Sequence, residues 1–384
     1  MSAGAKAMAA LKSYVIPPLW MLVIAMPVMG ITKSIASAGL LLAGLILYGM
    51  LKRKKPVGAI RRSRYKDMLR EHIDRLLRGH LRRYGPALVL AVSIILPLFM
   101  NSYAVDVLTS ALLYTMLALG LNLLVGNVGL LNLGYIAFYG IGAYTYAILY
   151  ARFGLGFWDA VLLGGAAASV VSLVIAIPTL RLKGDYLAIV TLGFGEIVRI
   201  VFNNWDGLTN GPNGIMGIPR PSLLGLQLST GTEFFYLTLL FVIVQVYVLS
   251  RIDRSRLRRY ALAINENEQA SEMVGINTYR VKAIYFMLSA FFGGVAGVLF
   301  ASKQMFVSPD SFTFIESVYV LAMVILGGMG NIAGVIAGAF TLVVLPEVLR
   351  EFVVYRMLIF ALLLITMMLF RPEGLVGRKA YHDR

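Results

Sequence analysis

Two charged residues sit inside one of the most apolar parts of this sequence. In GFGEIVRIVFNN, Glu196 and Arg199 lie three apart, on one helical face, where they can pair. A charge surrounded by hydrocarbon is costly, so it marks a functional path by default. The same pair could serve as an internal tie that fixes helix packing, and the residues alone leave both readings open. A second polar set falls between two apolar blocks. There EQASEMVG places Glu268, Ala270, Ser271, Glu272 and Gly275 in a Glu-x-Ala-small-Glu-x-x-Gly order, shortly after the arginine cluster RIDRSRLRR. A third set breaks the apolar pattern itself. GNVGLLNLGYIAFYGIGAY (126–144) and GGMGNIAGVIAGAF (327–340) put Gly and Asn where a continuous helix would disfavour them. Freed backbone groups at membrane depth are tolerated only inside protein or along a watery cavity, and transporters border their pathways with such breaks. Asn132 and Gly134, close to the Glu196–Arg199 pair, are therefore candidates for a translocation path; a plain turn over 126–132 is the competing reading.

Other chemistry finds no support. The chain has no cysteine, so disulfides, iron–sulfur centres and thiolate metal sites are excluded. Its three histidines, His72, His80 and His382, fall in basic or terminal stretches, which argues against a buried histidine metal site. No G-x-x-x-x-G-K-[ST] loop is present to hold nucleotide phosphates, and no G-x-S-x-G or H-E-x-x-H pattern appears. GIGAY and GFGE are not dinucleotide fingerprints, because no βαβ unit surrounds them. Any energy source must then be a gradient or another subunit.

The elements that position these residues are membrane helices. Of 384 residues, 59% are hydrophobic and 14% charged, with mean hydropathy +0.79. A soluble domain would carry roughly a quarter charged residues. Apolar blocks recur at close to the roughly 20 residues needed to cross a bilayer. The reading is an all-α polytopic membrane protein. The net charge of +16 is concentrated in loops: residues 52–83 hold thirteen Lys/Arg against three acids, and 251–259 hold five against one. Such loops stay in the cytoplasm by the positive-inside rule, so no nucleic acid is needed to explain them.

With the N-terminus inside, 1–51 reads as a transmembrane hairpin rather than a cleaved signal, since a second apolar block follows at once. Residues 52–85 form a basic cytoplasmic linker. Tyr65, Met68, Leu69, Ile73, Leu76, Leu77, Leu81 and Tyr84 recur there at helical spacing, as in an amphipathic helix lying on anionic lipid or a solvated linker helix. The core, 86–384, has spans near 86–100, 106–125, 133–151, 158–180, 186–202, 233–250 and 282–301. The turn at 181–186 falls inside, as does a loop over 251–281. The Gly/Pro/Asn-rich segment 203–232 and the stretch SKQMFVSPDSFT fall outside. The block 316–370 crosses once or, given the break at GGMGN, three times, for about 10–12 spans in all. Gly293 and Gly297, and the row Gly330, Gly334 and Gly338, are spaced for close helix packing.

The EQASEMVG loop resembles the coupling loop of ABC importer permeases, with one residue more before Ala270 than the commonest form. Its form is similar to that of the branched-chain amino acid permeases. GLLNLGYIAFYGIGAYTYAIL, LKGDYLAIVTLGFGEIVRIVFNN, LTNGPNGI, NEQASEMVGINTYRVKAIYFMLSAFFGGVAGVLFA, VLAMVILGGMGNIAGVIAGAF and LFRPEGLVG resemble the LivM family, in order, over most of 86–379. The resemblance implies a permease with short and broken core helices that catalyses nothing itself and binds no cofactor. Two ATPase subunits, carrying ATP and Mg, would dock on the cytoplasmic loop. A second, LivH-type permease would complete the pathway, and a periplasmic binding protein would deliver Leu, Ile or Val. Such a protein belongs in the bacterial inner membrane among lipids. Related permeases carry urea or short amides, so substrate stays open here. A gradient-driven transporter would fit the broken helices but not the Glu268–Gly275 loop. A membrane scaffold would fit the basic linker but not the polar breaks.

Overall fold

The computed structural model describes residues 93–348, apart from 181, 183, 224, 225 and 229. The hairpin 1–51, the linker 52–85, the last leg of the 316–370 block, the LFRPEGLVG motif and all three histidines lie outside the described residues. The chain divides into two compact units, Met1–Ala104 and Val105–Arg384. Of the first, the described part is a helical turn leading into a 3-10 turn over Leu96–Phe99 and the start of the next helix.

Among the described residues of the second unit, the regular structure is helical apart from four two-residue strands. Helix α1 (Ser102–Asn122) runs directly into a π-helical segment, Leu123–Val128. Then come α2 (Ile136–Phe153), α3 (Phe157–Thr179) and α4 (Asp185–Asn204). Next are α5 (Gly231–Asp253), α6 (Arg256–Glu266), α7 (Glu268–Met273) and α8 (Thr278–Gln304). The described part closes with α9 (Phe314–Gly327) and α10 (Ile332–Val348). Local chemistry sets several ends. A capping box of Thr230 and Glu233 starts α5, and Gly154, left-handed at φ +64°, stops α2.

Among the described residues, four stretches are long and apolar enough to cross a membrane: Ser102–Val128, Phe157–Thr179, Gly231–Asp253 and Thr278–Gln304. With the shorter apolar helices α9 and α10 beside them, the protein is an all-α polytopic membrane protein with some short, broken helices.

Helix α8 forms the centre, packed on α2 and α3. Glycines make that possible. A methyl group at Gly142 would overlap the Gly294 carbonyl, and one at Gly297 would overlap the Tyr139 carbonyl. In lipid, where burial of apolar surface gives no drive, such backbone approach is what holds helices together. The expected packing row at 330–338 needs one correction. Gly334 and Gly338 do lie in the contact between α9 and α10, against Gly327 and Met323. Gly330 lies on no helix; it is left-handed, φ +80°, in the turn that joins the two. Helices α9 and α10 return on each other as an antiparallel hairpin, with the Tyr319 hydroxyl donating to the Leu342 carbonyl.

The ends of the 27-residue α8 separate two regions by about 40 Å. Before Thr278 lies the α6–α7 loop. After Gln304, Phe306–Val307 pairs antiparallel with Ile215–Met216, Ile215 opposite Val307. The two segments that the charge pattern assigns to one face, 203–232 and the stretch after Ser302, are thus joined there. Tyr146 and Ser302 add to the junction by donating to the Pro219 carbonyl at 2.9 and 3.3 Å.

Candidate functional site

The first break begins at Gly129, left-handed at φ +76°, three residues later than a turn at 126 would put it, because the π segment carries the helix through Gly126–Val128. From there to Tyr135 the chain is not helical, and side chains, one of them the segment's own Asn132, meet its N–H groups. The Leu133 N–H donates to Thr191 Oγ1 (3.1 Å), Gly134 N–H to Asn132 Oδ1 (3.0 Å) and Ile136 N–H to Ser317 Oγ (3.1 Å). The Tyr135 hydroxyl donates to the Ser289 carbonyl, and the Ser289 hydroxyl to the Gly120 carbonyl. Ser289 is near the middle of α8, so α2 starts at mid-height of the bundle. Asn132 is 1% exposed, and its Nδ2 has no hydrogen-bond partner among the described residues.

Gly134 is fixed by closeness: a methyl group there would overlap the Thr191 carbonyl, and its own backbone lies against Gly195. The 133–134 segment is therefore held against α4 at Thr191 and at Gly195, the residue before Glu196. The Arg199 Nε donates to Glu196 Oε2 at 2.9 Å, with each side chain about one-third exposed (32% and 33%). Leu187, Ala188, Thr191, Gly195 and Phe202 form the buried face of α4. The ion pair flanks that face, at the edge of an uncovered row containing Ile189, Ile197 and Ile200.

The loop of Glu268–Gly275 is a helix with both ends tied. Asn267 caps α7 by accepting from Ala270 N–H at 3.1 Å. At the other end Gly275 N–H donates to Glu272 O (2.9 Å) and Ile276 N–H to Ser271 O (3.1 Å), the two bonds of a Schellman turn. Gly275 is accordingly not on the helix but ends it, at φ +85°. Asn277 then caps α8 through Arg280 N–H. Both carboxylates are tied to the start of α8, Glu268 half-buried and Glu272 exposed. Glu268 forms an ion pair with the buried Lys282, and Glu272 Oε1 accepts from Thr278 Oγ1 at 2.6 Å. Ser271 is buried as well. What the loop presents outward is Met273 (87% exposed) and Val274 (76%).

Helix α6 links this loop to both breaks. Asn265 lies against Gly129, where a methyl group would strike its Oδ1. Arg258 pairs with Asp253 and reaches the Gly330 carbonyl, while Gly330 N–H donates to Asn122 Oδ1 at 2.8 Å. A cleft of about 170 Å³ opens between Val128–Leu130, the turn at Leu182–Gly184, and Ile264, Glu268 and Lys282. Sequence reading missed Asn122, Thr191, Ser317, Asn265, Arg258 and Lys282. Their partners are distant in the chain, and the only sign was polarity within apolar or basic runs.

This arrangement is that of a membrane bundle with broken helices, and sequence comparison decides the kind. The family model described as branched-chain amino acid transport system, permease component, matches residues 103–369. The chain belongs to this permease family. It is 46% identical over 312 residues to the high-affinity branched-chain amino acid transport system permease protein LivM of Escherichia coli K12, covering 75% of this chain and 73% of that one. The LivM protein of Salmonella typhimurium is 44% identical over 311 residues, with the same coverage. The LivH permease protein of Escherichia coli K12 is 25% identical over 289 residues, 69% of this chain and 91% of that one. No solved structure matches the permease.

Proposed function

We propose that this permease is one half of the translocation pathway of an ATP-driven importer of branched-chain amino acids in a bacterial inner membrane. The observation that carries the reading is the loop 267–278. It is capped at both ends, tied to α8 through Glu268–Lys282 and Glu272–Thr278, and exposes the apolar pair Met273–Val274 at its tip. A rigid helix with an apolar tip transmits a push from an ATPase subunit; a floppy loop would absorb it. Asn265 and Arg258 would pass that motion to the two breaks. ATP and Mg reside on two partner ATPases, a LivH-type permease forms the other half, and a binding protein docks on the 203–232 face. The substrate assignment rests on what the LivM relatives are named for.

In this reading 1–51 is an accessory hairpin, 52–85 a cytoplasmic linker, and 86–384 the permease core with its coupling loop over 251–281. Asn132, Gly134, Glu196 and Arg199 border the path. The test is leucine uptake by vesicles holding the full complex, with ATP inside and binding protein outside. Gly275→Leu would strain the left-handed position and misplace the tip. It should cut uptake at least tenfold while ATP hydrolysis continues and the membrane level of the chain holds. Normal uptake by this variant would refute the coupling role, and uptake of urea or short amides in place of leucine would refute the substrate. A cysteine at exposed Asn213 should react with an impermeant thiol reagent from the periplasmic side; labelling only from the cytoplasm would invert the topology.

A further inference from the structure

Helix α1 is accessible only over its first half: between Ser102 and Ser110 only Val105 and Thr109 are buried, and of the next four residues only Tyr114 is reached. From Thr115 to Val128 every residue is buried. Above that, Asp106, Ser110 and Tyr114 follow one another at four-residue spacing and are at least partly accessible. Tyr114 is midway along the Ser102–Val128 span, so this polar row descends from the α8 C-terminal end to mid-height and stops.

Two opposite charges lean on the row from other helices. Lys303 of α8 sets its Nζ 2.6 Å from Ser110 Oγ and 3.0 Å from Asp106 Oδ1, and donates to the Asp106 carbonyl at 3.3 Å. Glu316, in the first turn of α9, accepts from the Tyr114 hydroxyl at 2.8 Å through Oε2. Its other carboxylate oxygen has no hydrogen bond among the described residues. Tyr319 backs the pair, edge-on to Tyr114 at 5.5 Å. Such a row facing hydrocarbon would be strongly disfavoured, so it must face water or protein.

We infer that Lys303 and Glu316 form a site for the zwitterionic head of an α-amino acid on its way through the membrane. Ser110 and Tyr114 are one helical turn apart on α1, about 6 Å between their Cβ atoms, so the cation and the carboxylate they hold are set along one polar row, with opposite signs at successive turns. An α-amino acid carries its carboxylate and ammonium side by side. The carboxylate takes the Lys303 ammonium by exchange with Asp106, which is 65% exposed and so weakly held. The ammonium donates to Glu316, and the aliphatic side chain is left to apolar surroundings. Neutral solutes such as urea have no use for such a pair.

The inference rests on the importer reading, and the test separates the two. In the full complex, Val107→Cys places the only thiol of this chain on the open face, one turn above Ser110 and Ala111. Its labelling by a charged, impermeant thiol reagent is followed with the ATPases at rest and trapped with vanadate. Leucine should slow labelling at least fivefold in one of these states, whereas 3-methylbutylamine and 3-methylbutanoate should not. Lys303→Met and, separately, Glu316→Gln should each abolish the protection while the complex still assembles. No labelling in either state would mean that the face is sealed, and would overturn the site. So would equal protection by the amine or the acid, or protection that survives both substitutions. Should the unsubstituted complex import no leucine at all, the importer reading fails instead.

Discussion

The two breaks in the core interrupt helices at similar residues yet are held in contrasting ways. The first, 129–135, is long: the Leu133 N–H and that of Ile136 just after it are met by Thr191 and Ser317 from other helices, and the Gly134 N–H by the segment's own Asn132. The second, Gly328–Asn331, is a tight turn. Two left-handed glycines, Gly328 and Gly330, shape it, and Asn331 caps the next helix by accepting from Ala333 and Gly334 N–H. From outside, Asn122 accepts from the Gly330 N–H and Arg258 donates to the Gly330 carbonyl. The contrast teaches where motion can enter. A turn shaped by its own glycines and cap moves as a unit, whereas an extended segment whose amides depend on α4 and α9 changes whenever either helix shifts.

Substitutions can break this contrast, and the largest effect belongs to Gly134. Gly134→Val forces two methyl groups against the Thr191 carbonyl, a backbone atom that cannot yield without separating α4 from the break. A loss of about 3 kcal/mol is expected, read as a much lower melting midpoint of the purified complex and loss of leucine uptake. A tolerated valine would mean that α4 is free to move. Asn122→Leu comes next. It strands the Gly330 N–H, at a cost of about 2 kcal/mol, and should lower the midpoint while sparing the first break. Thr191→Val keeps the shape but strands the Leu133 N–H, for about 1 kcal/mol. If the first break is the gate, this change should alter uptake more than Asn122→Leu does, despite its smaller thermal effect; the reverse order would move the gate to the second break. Glu196→Gln should change stability least, since an exposed pair contributes no more than about 1 kcal/mol. It should still reduce uptake if the pair borders the path, and assembly lost in place of uptake would make it a structural tie.

Much of this was legible in the sequence. Runs of apolar residues located the long helices to within a few positions, and the Gly-Asn stretches located both breaks. The Glu268–Gly275 pattern located the loop. What could not be read was direction. Glu268 and Glu272 look like a presenting face until Lys282 and Thr278 are folded against them, and nothing local distinguishes a presented carboxylate from one tied to the next helix. Gly275 carried a sign that could be read locally, since a glycine after the last turn commonly ends a helix. Arg258 was hidden among five arginines in 251–259, four of them explained by the membrane side on which they lie and one by a carbonyl seventy-two residues away.

The short ladder between Ile215–Met216 and Phe306–Val307 has a consequence for encounter rates. A loop of some thirty residues free at both ends would have to be ordered each time a delivery protein arrived, and that entropy would be charged against every docking event. Stapled to the end of α8, and fixed again where Pro219 accepts from Tyr146 and Ser302, the surface is already in one shape before anything binds. If a binding protein docks there, as proposed, its docking would be fast and brief, and a carrier emptied of its cargo would leave without having to be pulled from a structure it helped to fold.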